Sequence, residues 1–287
     1  MLQNTFCHIP GISARIEQRL WNAGIHSWQQ AGEVQRMAWL RGWRGALTDY
    51  VSESLVHLAQ QNAAYFGELL PSDQTWRLFP EFRDSIAYLD IETTGLGREA
   101  AITTIAIYDG HRVRHYVQKQ NLHEFLSDIR DYKVLVTYNG KAFDVPFIER
   151  YLKTKLSHVH IDLMYVLRSL GYTGGLKGCE KKLGLDRQDL SDVDGYFAVL
   201  LWQDYLRSRS DRTLETLLAY NAQDVLNLET LLVKAYNLKL GSTPFRASHA
   251  LPESDPSPNP FTPDRETINR LKKQHPFPTW ERLRPQL

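Results

Sequence analysis

The spacing of apolar positions divides the chain into three stretches. Residues 1–80 carry helical spacing, with Ile16 and Leu20 in one segment and a longer amphipathic run over 51–70. From residue 84 the pattern changes to short apolar, β-favouring runs. These predict strands at 86–93, 103–108, 113–117, 133–138 and 158–163. Asp109-Gly110 predicts a hairpin turn between the second and third. Helical patterns fall at 121–130, 145–153, 163–170, 176–183 and 196–207, and a long one covers 213–239. A meander followed by strand–helix alternation predicts an α/β fold with a mixed sheet flanked by helices. After Leu240 the composition shifts. Leu251 to Pro260 has linker character and predicts extended or disordered chain, and residues 267–273 predict a short helical turn. The expected organisation is a small helical region (1–80), a mixed-sheet domain (84–240) and a Pro-rich linker and tail (241–287).

Three groups of polar residues interrupt this apolar pattern where polarity is costly. Asp90 and Glu92 lie two apart in the first strand, so they share one face while Leu89 and Ile91 take the other. Buried carboxylates repel each other and resist desolvation, and a divalent cation is the usual compensation. A solvated edge strand is the alternative, but the flanking residues have the character of core. Asp144 follows a strand that ends at Asn139-Gly140, and Pro146 suits the first turn of the helix after it. Alone, Asp144 reads as a helix N-cap. Tyr220 and Asp224 are four apart on the long helix and therefore stack on one face. Asp224 breaks an apolar stripe, where an unpaired carboxylate is unfavourable.

Asp90-x-Glu92, Asn139-x-x-x-Phe143-Asp144 and Tyr220-x-x-x-Asp224, in that order, resemble the three motifs of the DEDD 3′→5′ exonucleases. Those enzymes have a ribonuclease-H-like fold. The third motif matches the tyrosine form (DEDDy), since the histidine form would need His where Ala219 stands. The resemblance covers about residues 84–238. Within the superfamily the chain is most similar to the bacterial YprB-like group of ribonuclease-H-like exonucleases.

That resemblance implies a hydrolase that removes nucleotides from a 3′ end with two divalent ions, Mg²⁺ or Mn²⁺. Oxygen-rich sites suit such cations, and paired ions stabilise both attacking and leaving oxygens. By likeness, Asp90 bridges the ions, Glu92 and Asp224 hold the one that activates water, and Asp144 serves the other. Tyr220 orients the water through its hydroxyl. Thr93 and Thr94 contact the terminal nucleotide, Leu96 wedges against its base, and Asn139 and Phe143 shape the site. Lys141, Lys177, Lys181 and Lys182 are candidates to meet phosphates, and each also reads as a solvated lysine. The expected partner is nucleic acid, single-stranded DNA ahead of RNA. No protein partner is indicated. An inactive nucleic-acid-binding module and a ribonuclease-H-like endonuclease acting on RNA or branched DNA stay open.

Composition narrows the picture further. The formal net charge is +1, so the whole chain gives no electrostatic signal for a polyanion and local basic groups must supply it. Two cysteines, Cys7 and Cys179, are too few for a disulfide framework. No apolar stretch approaches the length of a membrane span and no signal peptide is visible, so a cytoplasmic location is expected. In the first 80 residues, Ile9-Pro10-Gly11-Ile12 resembles half of a helix-hairpin-helix, although Ser13 breaks the usual Gly-x-Gly. A plain packing element fits equally well. Residues 39–44 mix tryptophan with arginine, as stacking surfaces for single strands do, although a core-facing tryptophan pair explains them too. Lys272, Lys273 and His275 read as solvated tail residues that could touch nucleic acid.

Overall fold

A five-stranded mixed sheet positions the acidic residues. Its strands are β1 (Ile86–Thr93), β2 (Ile102–Tyr108), β3 (Val113–Val117), β4 (Val134–Thr137) and β5 (Val159–Asp162), in the order β3-β2-β1-β4-β5. β1 pairs antiparallel with β2 and β2 with β3, whereas β4 and β5 run parallel to β1. The computed structural model describes residues 1–275 except 37, 192 and 254, without the side chains of 34–36, 38, 40, 41, 44 and 188. This is the expected α/β, ribonuclease-H-like arrangement.

Alternation along β1 decides what each face meets. Ala87, Leu89 and Ile91 join Phe125, Ile129, Phe147 and Ile148 in one apolar cluster. Phe147 and Ile148 come from α4 (Asp144–Leu152), which follows α1 (Ala14–Asn22), α2 (Arg44–Ala59) and α3 (Ala63–Leu69) in the chain. Ile86 and Tyr88 point the other way, into a second cluster with Val225, Leu228 and Leu232 of the long helix. Asp90 and Glu92 continue that second face. The ladder between β1 and β2 shifts register between Glu92 and Thr93. Such irregularities re-aim side chains and end regular pairing.

Further helices after the fourth are α5 (Leu163–Ser169), α6 (Gly175–Lys182), α7 (Gly195–Ser208), the 30-residue α8 (Asp211–Leu240) and α9 (Arg265–Gln274). Side-chain caps from Asp162, Asp194, Ser210 and Asp264 start α5, α7, α8 and α9. The helix expected at 121–130 is instead a single α-turn (Phe125–Asp128) between two 3-10 turns.

The N-terminal residues are not set apart from the sheet. One buried cluster runs from Phe6, Leu20, Trp28 and Phe66 through Ile86 and Tyr88 to Leu228 and Tyr236. The expected helix over 51–70 is two: Arg44–Ala59 and Ala63–Leu69. Gln61 takes a left-handed φ of 53° between them, and Asn62 caps the second. Inside the region, buried Glu17 accepts both donors of Arg77 at 2.8 and 2.7 Å. In the Ile9–Ile12 turn the Ile9 amide donates to the Phe6 carbonyl and the Ile12 amide to the Ile9 carbonyl. Gly11 has φ 85°, and a Cβ there would fall 2.9 Å from the Trp43 indole nitrogen. Packing therefore explains that glycine. Trp39 is covered by the Arg19 guanidinium at 4.2 Å. The side chains of Leu40, Arg41 and Arg44 lie outside the described residues.

Of the two alternatives for the C-terminal stretch, extended chain is the one observed: residues 251–253 and 255–264 are extended and bonded largely onto α8. Asn237 donates to the Leu251 carbonyl at 2.9 Å, and Asn259 donates to the Ala219 carbonyl at 2.7 Å. Ser257 meets Tyr108, and the Asp264 amide donates to Thr216. The strap ends in α9, which buries Ile268 and Leu271 against α7 and α8. Arg270 grips Asp204 of α7 with both terminal nitrogens at 2.9 and 2.7 Å. Proline-rich composition signals extended chain, but partners on α8 replace the hydrogen bonds such chain lacks.

Candidate metal centre

β1 and α8 bring three carboxylates together. Asp90, Glu92 and Asp224 each offer an oxygen, and these oxygens all lie within 4.8 Å of one another. Asp144, in the first turn of α4, faces them across the same cavity, whose volume is about 350 Å³. Its Oδ1 accepts the Ile91 amide at 3.2 Å. Tyr220 and Asp224 both line this cavity, as their spacing on one helix face requires.

Burial and mutual repulsion dominate the electrostatics. Burial first, then Asp224, Asp144 and Glu92, hold the Asp90 carboxyl well above the usual carboxylate range. Burial and the same neighbouring acids do so for Glu92. Burial lifts Asp144 to about 7, and it lifts Asp224 against the pull of Arg187. The Tyr220 hydroxyl is pushed far above its ordinary value by burial and by Asp224. Carboxylates clustered this way favour either protons or a cation.

The donor set fits a hard divalent ion. It is all oxygen, it is held by a strand and a helix rather than by loops, and two of its members are oriented by fixed neighbours. Asn221 donates to Asp90 Oδ2 at 2.7 Å, and its own carbonyl accepts from Thr104 at 3.1 Å. Asp224 pairs with Arg187. Such outer partners orient ligands in metal sites generally.

Most of the residues singled out in the sequence converge here. Thr93, Leu96, Asn139 and Phe143 line the cavity with the four acids and Tyr220. Leu96 is 61% exposed at its lip. Thr93 is turned into its own loop, bonding the Gly95 carbonyl at 2.8 Å. Thr94 does not line the cavity and instead fastens the loop to Ala101. Lys141 also lies off the lining and reaches Ser72 at 3.5 Å. Lys177 stands 5.2 Å from the Tyr220 ring centroid, whereas Lys182 bonds the Thr173 carbonyl.

Sequence reasoning missed several neighbours. Tyr138, Asp194 and Tyr196 line the cavity. Arg187, Glu180 and Asn227 form a buried network behind Asp224. Asp162 does more than cap α5, since it also accepts the amides of Asn139 and Lys141 at 2.8 and 3.1 Å. It thereby fixes the loop that leads to Asp144. The Asn139 φ of 65° is tolerated by this residue type. Buried polar residues in helix patterns, such as Asn221 and Asn227, were the available signal.

The chain is 32% identical over 178 residues to "Uncharacterized protein YprB" of Bacillus subtilis (strain 168), which covers 53% of this chain and 42% of that protein. The matched part is therefore less than half of that relative. A family B DNA polymerase from the archaeon Pyrobaculum calidifontis aligns over 62% of this chain and 31% of its own, at 15% identity and a TM-score of 0.37. Among the described residues, no helix is long and apolar enough to cross a membrane. Residues 87–236, more than half of the chain, match the RNase_H_2 family, so the chain belongs to that family of the RNase H superfamily.

Proposed function

We propose that the protein is a metal-dependent 3′→5′ exonuclease that hydrolyses phosphodiester bonds of nucleic acid, with single-stranded DNA as its preferred substrate. The observation that supports this most is the meeting of Asp90, Glu92 and Asp224 beside Asp144 and Tyr220 in one cavity. Two divalent cations, Mg²⁺ or Mn²⁺, would supply charge to both the attacking and the leaving oxygen. Asp90, Glu92 and Asp224 would hold one of them, with Asp144 and Asp90 at the other.

The remaining roles fall to the chain's own atoms. The Tyr220 hydroxyl keeps its proton at neutral pH, so it orients a water rather than deprotonating it. The exposed Leu96 side chain and Phe143 flank the opening, where an unpaired terminal base can pack against them. A cavity of about 350 Å³ suits one nucleotide better than a duplex.

The test is a cleavage assay on DNA and RNA single strands labelled at either end, in Mn²⁺, Mg²⁺ or EDTA. We expect a metal-dependent ladder that shortens from the 3′ end. Internal fragments of fixed size would indicate an endonuclease. Binding without cleavage in every metal would indicate an inactive module.

A further inference from the structure

Asp224 has a cation already in place. Arg187 Nη1 pairs with Asp224 Oδ1, and Arg187 has no freedom to leave. Its Nε and Nη2 donate to the two oxygens of Glu180 at 2.5 and 2.6 Å. Glu180 in turn accepts from Asn227 Nδ2 at 2.8 Å. Glu180 stands on α6 and Asn227 on α8, three residues beyond Asp224. The Arg187 side chain is only 4% exposed. It does not line the cavity that holds the acids. Contact with a phosphate held at the acids is therefore closed to it, and its outer edge lines a separate cavity with Leu190 and Asn259.

The geometry exceeds what a structural ion pair needs. The fork between Arg187 and Glu180 is complete by itself, and bidentate pairs of this kind are the strong ones. The third nitrogen nevertheless lies against one oxygen of a cluster of repelling acids, as an ion pair without hydrogen-bond alignment. An ion pair buried this deeply is not explained by stability, since apolar residues of like volume do as well.

We propose that Arg187 is a positioning residue for the metal centre: braced by Glu180, it fixes one oxygen of Asp224 and lowers the affinity of the acidic cluster for cations. This rests on the exonuclease reading. Arg187 fixes the Asp224 carboxylate in one rotamer and leaves its second oxygen for a cation. Its charge would also oppose a divalent ion held by Asp224, which keeps binding reversible, and it offsets the charge of Asp224 between ions.

The test uses the full chain as wild type, Arg187→Gln, Arg187→Lys and the paired Arg187→Gln/Glu180→Gln variant. Mn²⁺ binding is followed by the EPR signal of free Mn²⁺, folding by melts in EDTA, and cleavage at saturating Mn²⁺. Arg187→Gln should bind Mn²⁺ about tenfold or more tighter, because a nearby positive charge is gone. Its kcat should fall about tenfold or more while KM for the strand stays put, because Asp224 is no longer oriented. Arg187→Lys should restore the Mn²⁺ affinity but not the full rate, since one ammonium cannot serve Glu180 and Asp224 together. The paired variant removes the buried charge left on Glu180 and should shift Mn²⁺ affinity in the same direction, which keeps the test valid if Arg187→Gln unfolds. A lower melting temperature with unchanged or weaker Mn²⁺ binding in the folded variants would overturn the proposal. Failure of wild type itself to bind Mn²⁺ or cleave would instead overturn the exonuclease reading.

Discussion

A single methyl group tests whether the N-terminal region and the sheet form one folding unit. Gly67 sits in the helix Ala63–Leu69 against β5, and a Cβ there would fall 2.5 Å from Cγ1 and 2.7 Å from Cγ2 of Val159. Glycine to alanine in a helix gains about 1 kcal/mol of intrinsic propensity. Overlap at that distance forces either the helix off the strand or Val159 off its rotamer, at about 1–3 kcal/mol. Gly67→Ala should therefore lose up to about 2 kcal/mol overall. In a Val159→Ala background the two methyls are absent and the same change should be neutral or stabilising. The double-mutant cycle should thus show coupling of about 1–3 kcal/mol, well outside the few tenths that independent sites give. The assay is equilibrium urea unfolding followed by tryptophan fluorescence and circular dichroism. An equal cost of Gly67→Ala in both backgrounds, or a separate first transition for residues 1–80, would refute the reasoning.

Two further predictions concern the buried polar groups. Asn221→Ala removes the donor on Asp90 Oδ2 and leaves the Thr104 hydroxyl without its partner, so the fold should lose about 1–3 kcal/mol. Cleavage should fall about 10–100-fold, as measured by Mn²⁺ titration of the initial rate, and an unchanged rate would remove Asn221 from the site. Burial, aided by Arg77, pushes the His8 imidazole down from 6.5 to about 3, so only the unfolded chain takes up its proton at mildly acid pH. Its contribution is intact above pH 6.5 and is lost as pH falls towards 3, by about 2 kcal/mol at pH 5. Urea melts of wild type and His8→Gln from pH 7 to 5 should differ in slope by that amount, and parallel curves would contradict the buried neutral histidine.

Residues whose neighbours are set by local period were legible in the chain. Alternation placed Asp90 and Glu92 on one face of β1, and helical spacing placed Tyr220 and Asp224 on one face of α8, where the structure has both pairs. All five strands fall where the apolar runs put them, within a residue at each end. What escaped depends on distant partners. Arg187 belongs to no motif and no apolar period, and only the folded chain brings Glu180 of α6 and Asp224 of α8 to it. Leu251 to Pro260 read as linker because no apolar period runs through them, and what ties this stretch down is polar, such as the Ala219 carbonyl of α8 for Asn259 and the Tyr108 hydroxyl for Ser257. The break at Gln60–Asn62 needed Asn62 to be recognised as a cap inside an apparently continuous helical pattern. Thr94 was placed at the site by motif likeness and Lys141 as a local basic group, and both side chains have other partners.

In the proposed function, Asp90, Glu92 and Asp224 hold a cation on which cleavage depends. Mn²⁺ binding by calorimetry, run beside 3′-end cleavage for wild type and Asp224→Ala, tests it most directly. Wild type should bind Mn²⁺ and shorten the strand over the same concentration range. Asp224→Ala should lose both while melting cooperatively in EDTA. Full cleavage by Asp224→Ala, or undiminished Mn²⁺ affinity in it, would contradict the account.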